Sequence, residues 1–320
     1  MSDKIIIFGG SGFIGTRLIG RLVKEGVFDV VSVDIRPPRQ RLAKVEYITA
    51  DVRDLSGLNS EGPIKAIYNL AAVHTTPGHP DHEYYETNVA GAAEVTAFAR
   101  RCNVREIIFT SSISVYGPGE DAKTEQTPPA PVSAYGRSKL LAEKIHRTWQ
   151  EESGARRLII VRPAVIFGPG EGGNFTRLAK LLRKGFFIYP GRRDTIKSCF
   201  YVDDLLAAIA HAQTLQQGFI LFNGCYPDRY TIEDIVKTFK AGYFTNVKEY
   251  TFPVQLVYLA ATLLRPLAFL NLGIHPDRVT KLIRSTNTIP AWLGTSGTAK
   301  AGQLPQALAN WAQETNNKFL

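Results

Sequence analysis

The chain has 320 residues, 44% of them hydrophobic and 21% charged, which excludes a disordered or fibrous protein and leaves room for one large domain or two coupled ones. Lysine and arginine (38) outnumber aspartate and glutamate (29), but no nucleic-acid-binding motif accompanies the surplus. It reads as a solvated basic surface with a few phosphate contacts. Cys102, Cys199 and Cys225 show no metal-ligand spacing, and no basic region or cleavage site surrounds the first apolar run, so the expectation is a cytoplasmic protein with reduced thiols, no metal and no nucleic-acid partner.

In chain order, Lys4 to Phe8 is a short β-branched run of the kind that forms a buried parallel strand. A helical spacing follows over Gly12 to Glu25, then strands over Asp29 to Val33, Val45 to Thr49 and Lys65 to Leu70. The pattern predicts a helix over Tyr84 to Arg101, a strand over Glu106 to Ser111, a helix over Ser133 to Glu151 and a strand over Leu158 to Arg162. Strands alternating with helices predict an α/β fold, a Rossmann-type doubly wound parallel sheet. From Pro169 the rhythm changes, with glycine and proline clustering between Gly168 and Gly173. Phe200 to Ala212 reads as a return strand and helix, Gly218 to Phe222 as another strand, and the remainder as mostly helical. The expected division is residues 1–168, with 199–222 returning, for the nucleotide-binding domain. Residues 169–198 and 223–320 then form a smaller, mainly helical C-terminal substrate domain.

The first strand ends in Gly9-Gly10-Ser11-Gly12-Phe13-Ile14-Gly15, which satisfies both G-x-G-x-x-G and G-x-x-G-x-x-G. Such a turn must bend sharply, bring bare backbone against a pyrophosphate and pack a helix on a sheet, and glycine permits all three. The helix start at Phe13 and Ile14 offers free N–H groups to the phosphates. Asp34 lies 19 residues after Gly15, where a carboxylate accepts both ribose hydroxyls of an adenosine and repels a 2′-phosphate. NAD is therefore favoured over NADP, although Arg36, Arg39 and Arg41 pull the other way. Asp51-Val52 fits either an adenine contact or a plain turn.

Tyr135 and Lys139 stand four apart in a helical run, on one face, so the ammonium can favour the phenolate and let tyrosine act as a base. Ser112 follows the strand that ends near Ser111. A hydroxyl there can hydrogen-bond a carbinol oxygen and share the proton path.

Taken together, several motifs resemble the extended short-chain dehydrogenase/reductase family in its NAD-dependent epimerase/dehydratase branch. They are the glycine turn, Asp34, Asp51-Val52, Asn69-Leu70-Ala71-Ala72, Asn88-Val89-x-Gly91, Ser111-Ser112-x-x-Val115-Tyr116-Gly117, Tyr135-Gly136-x-Ser138-Lys139, Arg162-Pro163 through Gly168-Pro169, and Tyr201-Val202-x-Asp204-Leu205. The resemblance implies that Ser112 polarises the substrate oxygen, Tyr135 is the acid/base, and Lys139 binds the nicotinamide ribose and tunes Tyr135. Ala71, Ala72 and Asn88 would line the cofactor. Dehydratase members carry Asp-Glu where this chain has Ile113 and Ser114, so elimination of water is not expected. Many sugar-nucleotide members carry an asparagine where this chain has Val165, which puts their usual diphosphate contacts in doubt. Lys197 falls where relatives use an arginine on the pyrophosphate. Asn174 and Arg278 are further substrate-contact candidates.

The stretch Phe252 to Ile274 is unusually apolar but is interrupted by Arg265 and Pro266. It reads either as helices closing the substrate domain or as a lid that meets a lipid. Arg162 to Asn174 resembles bacterial surface-polysaccharide epimerases, some of which act on undecaprenyl-diphosphate-linked sugars. The leading expectation is epimerisation at C4 of a diphosphate-linked hexose, UDP-linked or polyprenyl-linked, by a homodimer, with peripheral contact at the inner membrane face. Net dehydrogenation of a hydrophobic, sterol-like alcohol and non-catalytic dinucleotide sensing remain as alternatives.

Overall fold

The computed structural model describes residues 3–76, 78–256 and 283–320. In chain order its elements are β1 (Lys4–Phe8), α1 (Phe13–Glu25), β2 (Asp29–Asp34), β3 (Val45–Thr49), β4 (Ile64–Asn69) and α2 (Asp81–Tyr85). A π-helical turn (Glu86–Ala90), α3 (Gly91–Arg101), β5 (Glu106–Thr110), a 3₁₀ turn (Ile113–Tyr116), β6 (Gly119–Lys123) and α4 (Ala134–Glu151) follow. Then come β7 (Arg157–Pro163), β8 (Val165–Phe167), α5 (Asn174–Arg183), β9 (Phe186–Pro190), β10 (Cys199–Tyr201), α6 (Val202–Thr214) and β11 (Phe219–Gly224). The last are α7 (Ile232–Gly242), β12 (Lys248–Phe252), β13 (Thr286–Thr288) and the helices Ala291–Thr295 and Leu304–Glu314.

The chain divides into two units. The first comprises Met1–Gly117, Glu125–Pro163 and Val202–Gly224. Its sheet has seven strands in the order β11-β7-β5-β4-β1-β2-β3, each neighbouring pair parallel. Strands covered on both faces must be apolar throughout, and Ile5 to Phe8 are accordingly all buried. One face is closed by Ala92, Val95, Phe98 and Ala99 of α3 and by Trp149 of α4. Phe8 and Phe98 meet edge to face with centroids 5.8 Å apart. Each such side chain contributes about 1.5–3 kcal/mol by leaving water.

The strand order fixes where a ligand can enter. From β1 the chain moves outward to β2 and β3, then crosses back to β4 on the other side of β1. The segments leaving β1 and β4 diverge there, opening a crevice at the carboxyl ends of the strands. The helix after β1 is built for that place. It buries Leu18, Ile19 and Leu22 on one face and stops at Gly26, whose φ of +67° lets its N–H reach the Leu22 carbonyl.

The second unit comprises Pro118–Thr124, Ala164–Tyr201 and Cys225–Leu320. Among its described residues are three parallel two-stranded pairs, β6 with β13, β8 with β10 and β9 with β12. An aromatic core holds it together: Phe167 stacks on Phe175 with centroids 4.2 Å apart, and Trp311 packs edge-on against Phe319 at 5.2 Å. The returning segment differs from the sequence reading. Phe200 lies in β10, which pairs with β8, so the chain re-enters the first unit at Val202. Arg278 and residues 257–274 of the apolar stretch lie outside the described residues. Among the described residues no helix is long and apolar enough to cross a membrane.

Candidate active site

Gly9 turns with a φ of +81°, and its N–H donates to the Val33 carbonyl at 2.9 Å. A Cβ on Gly9 would lie 2.7 Å from the Ala71 nitrogen, so the end of β4 is flush against the turn. A Cβ on Gly15 would lie 2.5 Å from the Gly9 oxygen, so α1 approaches as closely as bare backbone allows. Gly12 caps α1 with no side-chain hydrogen bond. The first-turn N–H groups, those of Phe13 and Ile14 among them, therefore face outward without an internal cap.

Asp34 is buried, and each of its oxygens accepts one backbone N–H, Oδ2 from Ser11 and Oδ1 from Arg36, both at 3.0 Å. A carboxylate has about four acceptor sites, so both oxygens retain capacity for hydroxyls. A hollow lined by Ser11, Ser32, Asp34, Arg36 and Tyr47 lies beside it. Arg36 is exposed with its Nε 3.8 Å from Asp34, and Arg41 stacks over Tyr47 at 5.3 Å. An uncapped helix start, a cradle that any Cβ would fill and a half-satisfied carboxylate together suit the pyrophosphate and ribose of a dinucleotide. Asp51 is paired with Arg53 at 2.6 Å, and that guanidinium holds its carboxyl below the usual range. Val52 is buried, and a Cβ on Gly91 would lie 2.9 Å from it. Asn88 is held at both ends of its amide: its Oδ1 accepts from Val73 N at 2.9 Å and its Nδ2 donates to Val73 O and to Ser138 Oγ. It thus clamps the segment after β4 to α4.

The hydroxyl, phenol and amine gather at the end of β5. Lys139 is buried, donates to the Thr110 carbonyl at 2.8 Å and lies 4.9 Å over the Phe109 ring. Ser112, two residues on, accepts Ser114 N at 3.1 Å and hydrogen-bonds the Tyr135 side chain. Ser133 starts α4 by accepting Gly136 N at 3.1 Å, which sets Tyr135 on the first turn. The Tyr135 ring stands 6.1 Å from that of Tyr84. Burial pushes the Tyr135 phenol up, and the Ser112 bond acts against that. Burial also pulls Lys139 down to about 7, with Glu143 opposing. Lys139 thus spends its bond on the strand end, and the lowering of Tyr135 expected from the ammonium is not what dominates here.

Asn174 and Lys197 belong to the second unit. Asn174 is exposed and accepts from Arg177 at 2.8 Å, whereas Lys197 donates to the Arg284 carbonyl at 2.7 Å and is pulled down to about 8 by burial. The sequence reading passed over Glu143 and His74. Glu143 is signalled only by its spacing, one helical turn beyond Lys139.

The profile of the "NAD dependent epimerase/dehydratase family" matches residues 5–219. The N-acetyl-alpha-D-glucosaminyl-diphospho-ditrans,octacis-undecaprenol 4-epimerase of Escherichia coli O157:H7 is 33% identical over 70% of this chain and 67% of its own. The UDP-glucose 4-epimerase of Vibrio cholerae is 29% identical over 70% of this chain and 72% of its own. Among solved structures, MoeE5 in complex with UDP-glucuronic acid and NAD superposes with a TM-score of 0.75 at 20% identity, over 98% of this chain and 99% of that one.

Proposed function

Because the chain belongs to the NAD-dependent epimerase/dehydratase family and is an NAD-dependent enzyme of the extended short-chain dehydrogenase/reductase type, we propose that it inverts C4 of a hexose carried on a diphosphate. The observation that carries this reading is the gathering of Ser112, Tyr135 and Lys139 at the end of β5, in the same unit as the glycine turn and Asp34. Gly9, Gly12, Gly15 and the N–H groups of Phe13 and Ile14 would hold the pyrophosphate, Asp34 the adenosine ribose and Lys139 the nicotinamide ribose. NAD bound there supplies a reversible hydride acceptor.

Tyr135 takes the proton of the C4 hydroxyl, and Ser112 donates a hydrogen bond to the same oxygen. The Ser112 hydrogen bond favours the phenolate against the burial that opposes it. The resulting 4-keto sugar presents its other face, and Tyr135 returns the proton. Ile113 and Ser114 put no carboxylate beside Ser112 to drive loss of water, which supports inversion over dehydration. A polyprenyl-diphosphate carrier is supported by the Escherichia coli relative and by the basic surplus. The same reading includes peripheral contact at the inner membrane face and a homodimer formed through two helical segments of the first unit, Tyr84 to Arg101 and Ser133 to Glu151, the second of which exposes Leu141.

The test is incubation of the purified protein with UDP-glucose, UDP-N-acetylglucosamine and undecaprenyl-diphosphate N-acetylglucosamine, followed by proton NMR of the H4 couplings. We expect a mixture of C4 epimers with no net NADH. NADH accumulating in step with product would refute epimerisation in favour of a dehydrogenase.

A further inference from the structure

Behind the three candidate catalytic groups lies a buried polar network that the proposed reaction does not use. Glu143 sits one turn beyond Lys139 on α4, and Arg162 of β7 grips it with two bonds, Nε to Oε1 at 2.9 Å and Nη2 to Oε2 at 2.7 Å. The Ser111 hydroxyl donates to the same Oε1. Arg162 Nη1 donates to the Tyr116 hydroxyl, which donates to Asn223 Oδ1, both at 2.8 Å. Ser111, Tyr116, Glu143, Arg162 and Asn223 are all buried. Stripping water from a carboxylate and a guanidinium is costly, and a packed apolar pair would serve stability as well. The pair is instead tied to every element that presents a candidate catalytic group: the end of β5, the turn that follows it, and α4.

We infer that Glu143, clamped by Arg162 and Ser111, is a positioning residue of the active site: its carboxylate is the countercharge to the Lys139 ammonium and holds the β5 end that presents Ser112. The inference rests on the proposed roles of Ser112 and Lys139. The other groups facing Lys139 cannot supply that countercharge. Thr110 and Phe109 on β5 offer a carbonyl and a ring. His146 and Tyr135 lie on α4 itself, and His74 follows β4. Both histidines feel the Lys139 charge and are held neutral by burial, His146 down to about 4. His146 is engaged with Asn69 and the Ala142 carbonyl. Arg162, the group of like sign, is occupied by Glu143.

The experiment is a ¹⁵N NMR titration of lysine Nζ in the NAD-loaded protein, with Lys139→Arg identifying the signal. In Glu143→Gln we expect the Lys139 midpoint to fall by about one pH unit or more, the size of a charge interaction across one helical turn inside a protein. Glu143→Asp should restore at least half of that shift. The alkaline limb of kcat should move to lower pH by the same amount, since the charged amine is then lost earlier. Glu143→Gln leaves the Arg162 charge unpaired, so Glu143→Gln/Arg162→Met, which buries neither charge, is read beside it and should show a smaller fall in the same direction, because a charge of like sign is lost as well. A midpoint within about 0.3 of wild type in the folded double variant would overturn the inference, 0.3 being well below the effect of one neighbouring charge. The midpoint does not depend on turnover. Failure of the epimerase reading would show separately, as wild-type protein that makes no C4 epimer.

Discussion

Replacing Gly136 with alanine should slow the reaction while leaving the dinucleotide in place. Gly136 follows Tyr135 on the first turn of α4, and a Cβ there would lie 2.4 Å from the Ser114 carbonyl oxygen and 3.0 Å from Pro131 Cβ. Real Cβ contacts do not go below 3.0 Å, so backbone must separate by at least 0.6 Å. Such overpacking costs about 1–3 kcal/mol, offset by about 0.5–1 kcal/mol because alanine suits a helix better than glycine. The net loss of stability is then about 0–2.5 kcal/mol. The separation falls between the Tyr135 phenol and the Ser112–Ser114 segment that it must meet. Misplacement by about 1 Å can cost about a hundredfold in rate, so kcat should fall about tenfold to a hundredfold. Nothing in the glycine turn or at Asp34 moves, and NAD affinity should stay within about twofold, under the worth of one hydrogen bond. C4 epimer interconversion gives kcat, quenching of protein fluorescence gives the NAD dissociation constant, and urea unfolding gives stability. A kcat within twofold of wild type while stability fell, or an NAD affinity that dropped in proportion to kcat, would mean that the Gly136 contact does not set the approach of Tyr135 to Ser112.

Gly20→Ala on α1 is the control, because a Cβ there meets nothing within 4 Å. It should raise stability by about 0.5–1 kcal/mol in urea unfolding with kcat unchanged; a loss would mean that face is covered. Asp34→Ala should weaken NAD by about tenfold to a hundredfold in a fluorescence titration, one or two charge-assisted hydrogen bonds, and narrow the preference over NADP; unchanged NAD affinity would show that the ribose binds elsewhere. Burial takes Lys139 from 10.5 to about 7, so between those values the unfolded chain holds a proton that the folded chain releases. The Lys139 contribution therefore opposes folding below pH 7 and fades as pH rises. Urea midpoints measured from pH 7 to 9 should climb more steeply in wild type than in Lys139→Met, and parallel curves would mean the amine stays protonated in the fold.

The glycine turn and Asp34 were legible because their residue types have few other uses at that spacing, and the first strand because it is buried on both faces. Glu143 was not, since an acidic residue in a helix ordinarily reads as a solvated face; only the fold turns it toward Arg162. The predicted helix from Tyr84 to Arg101 is interrupted by the π-helical turn at Glu86–Ala90, and Asn88 lies within that turn. Side-chain periodicity does not register one widened turn. Gly119–Lys123 is charged and half exposed, with no alternation to mark it, yet it becomes a strand by pairing with β13. Phe200 is a strand residue by its apolar run, but a short apolar run cannot name its partner, which is β8 and not a strand of the large sheet.

The chain passes between its two units five times, and the second is assembled from three separate stretches. No contiguous piece of the gene therefore encodes either one. A stop at Gly224 would leave β6 without β13 and would strip Glu120 of its bonds to Ser285 and Asn287, although these partners lie more than 160 positions away in sequence. Recombination that swapped in a foreign second unit would need three simultaneous grafts. Point substitution is the easier route by which a protein threaded in this way acquires a new substrate.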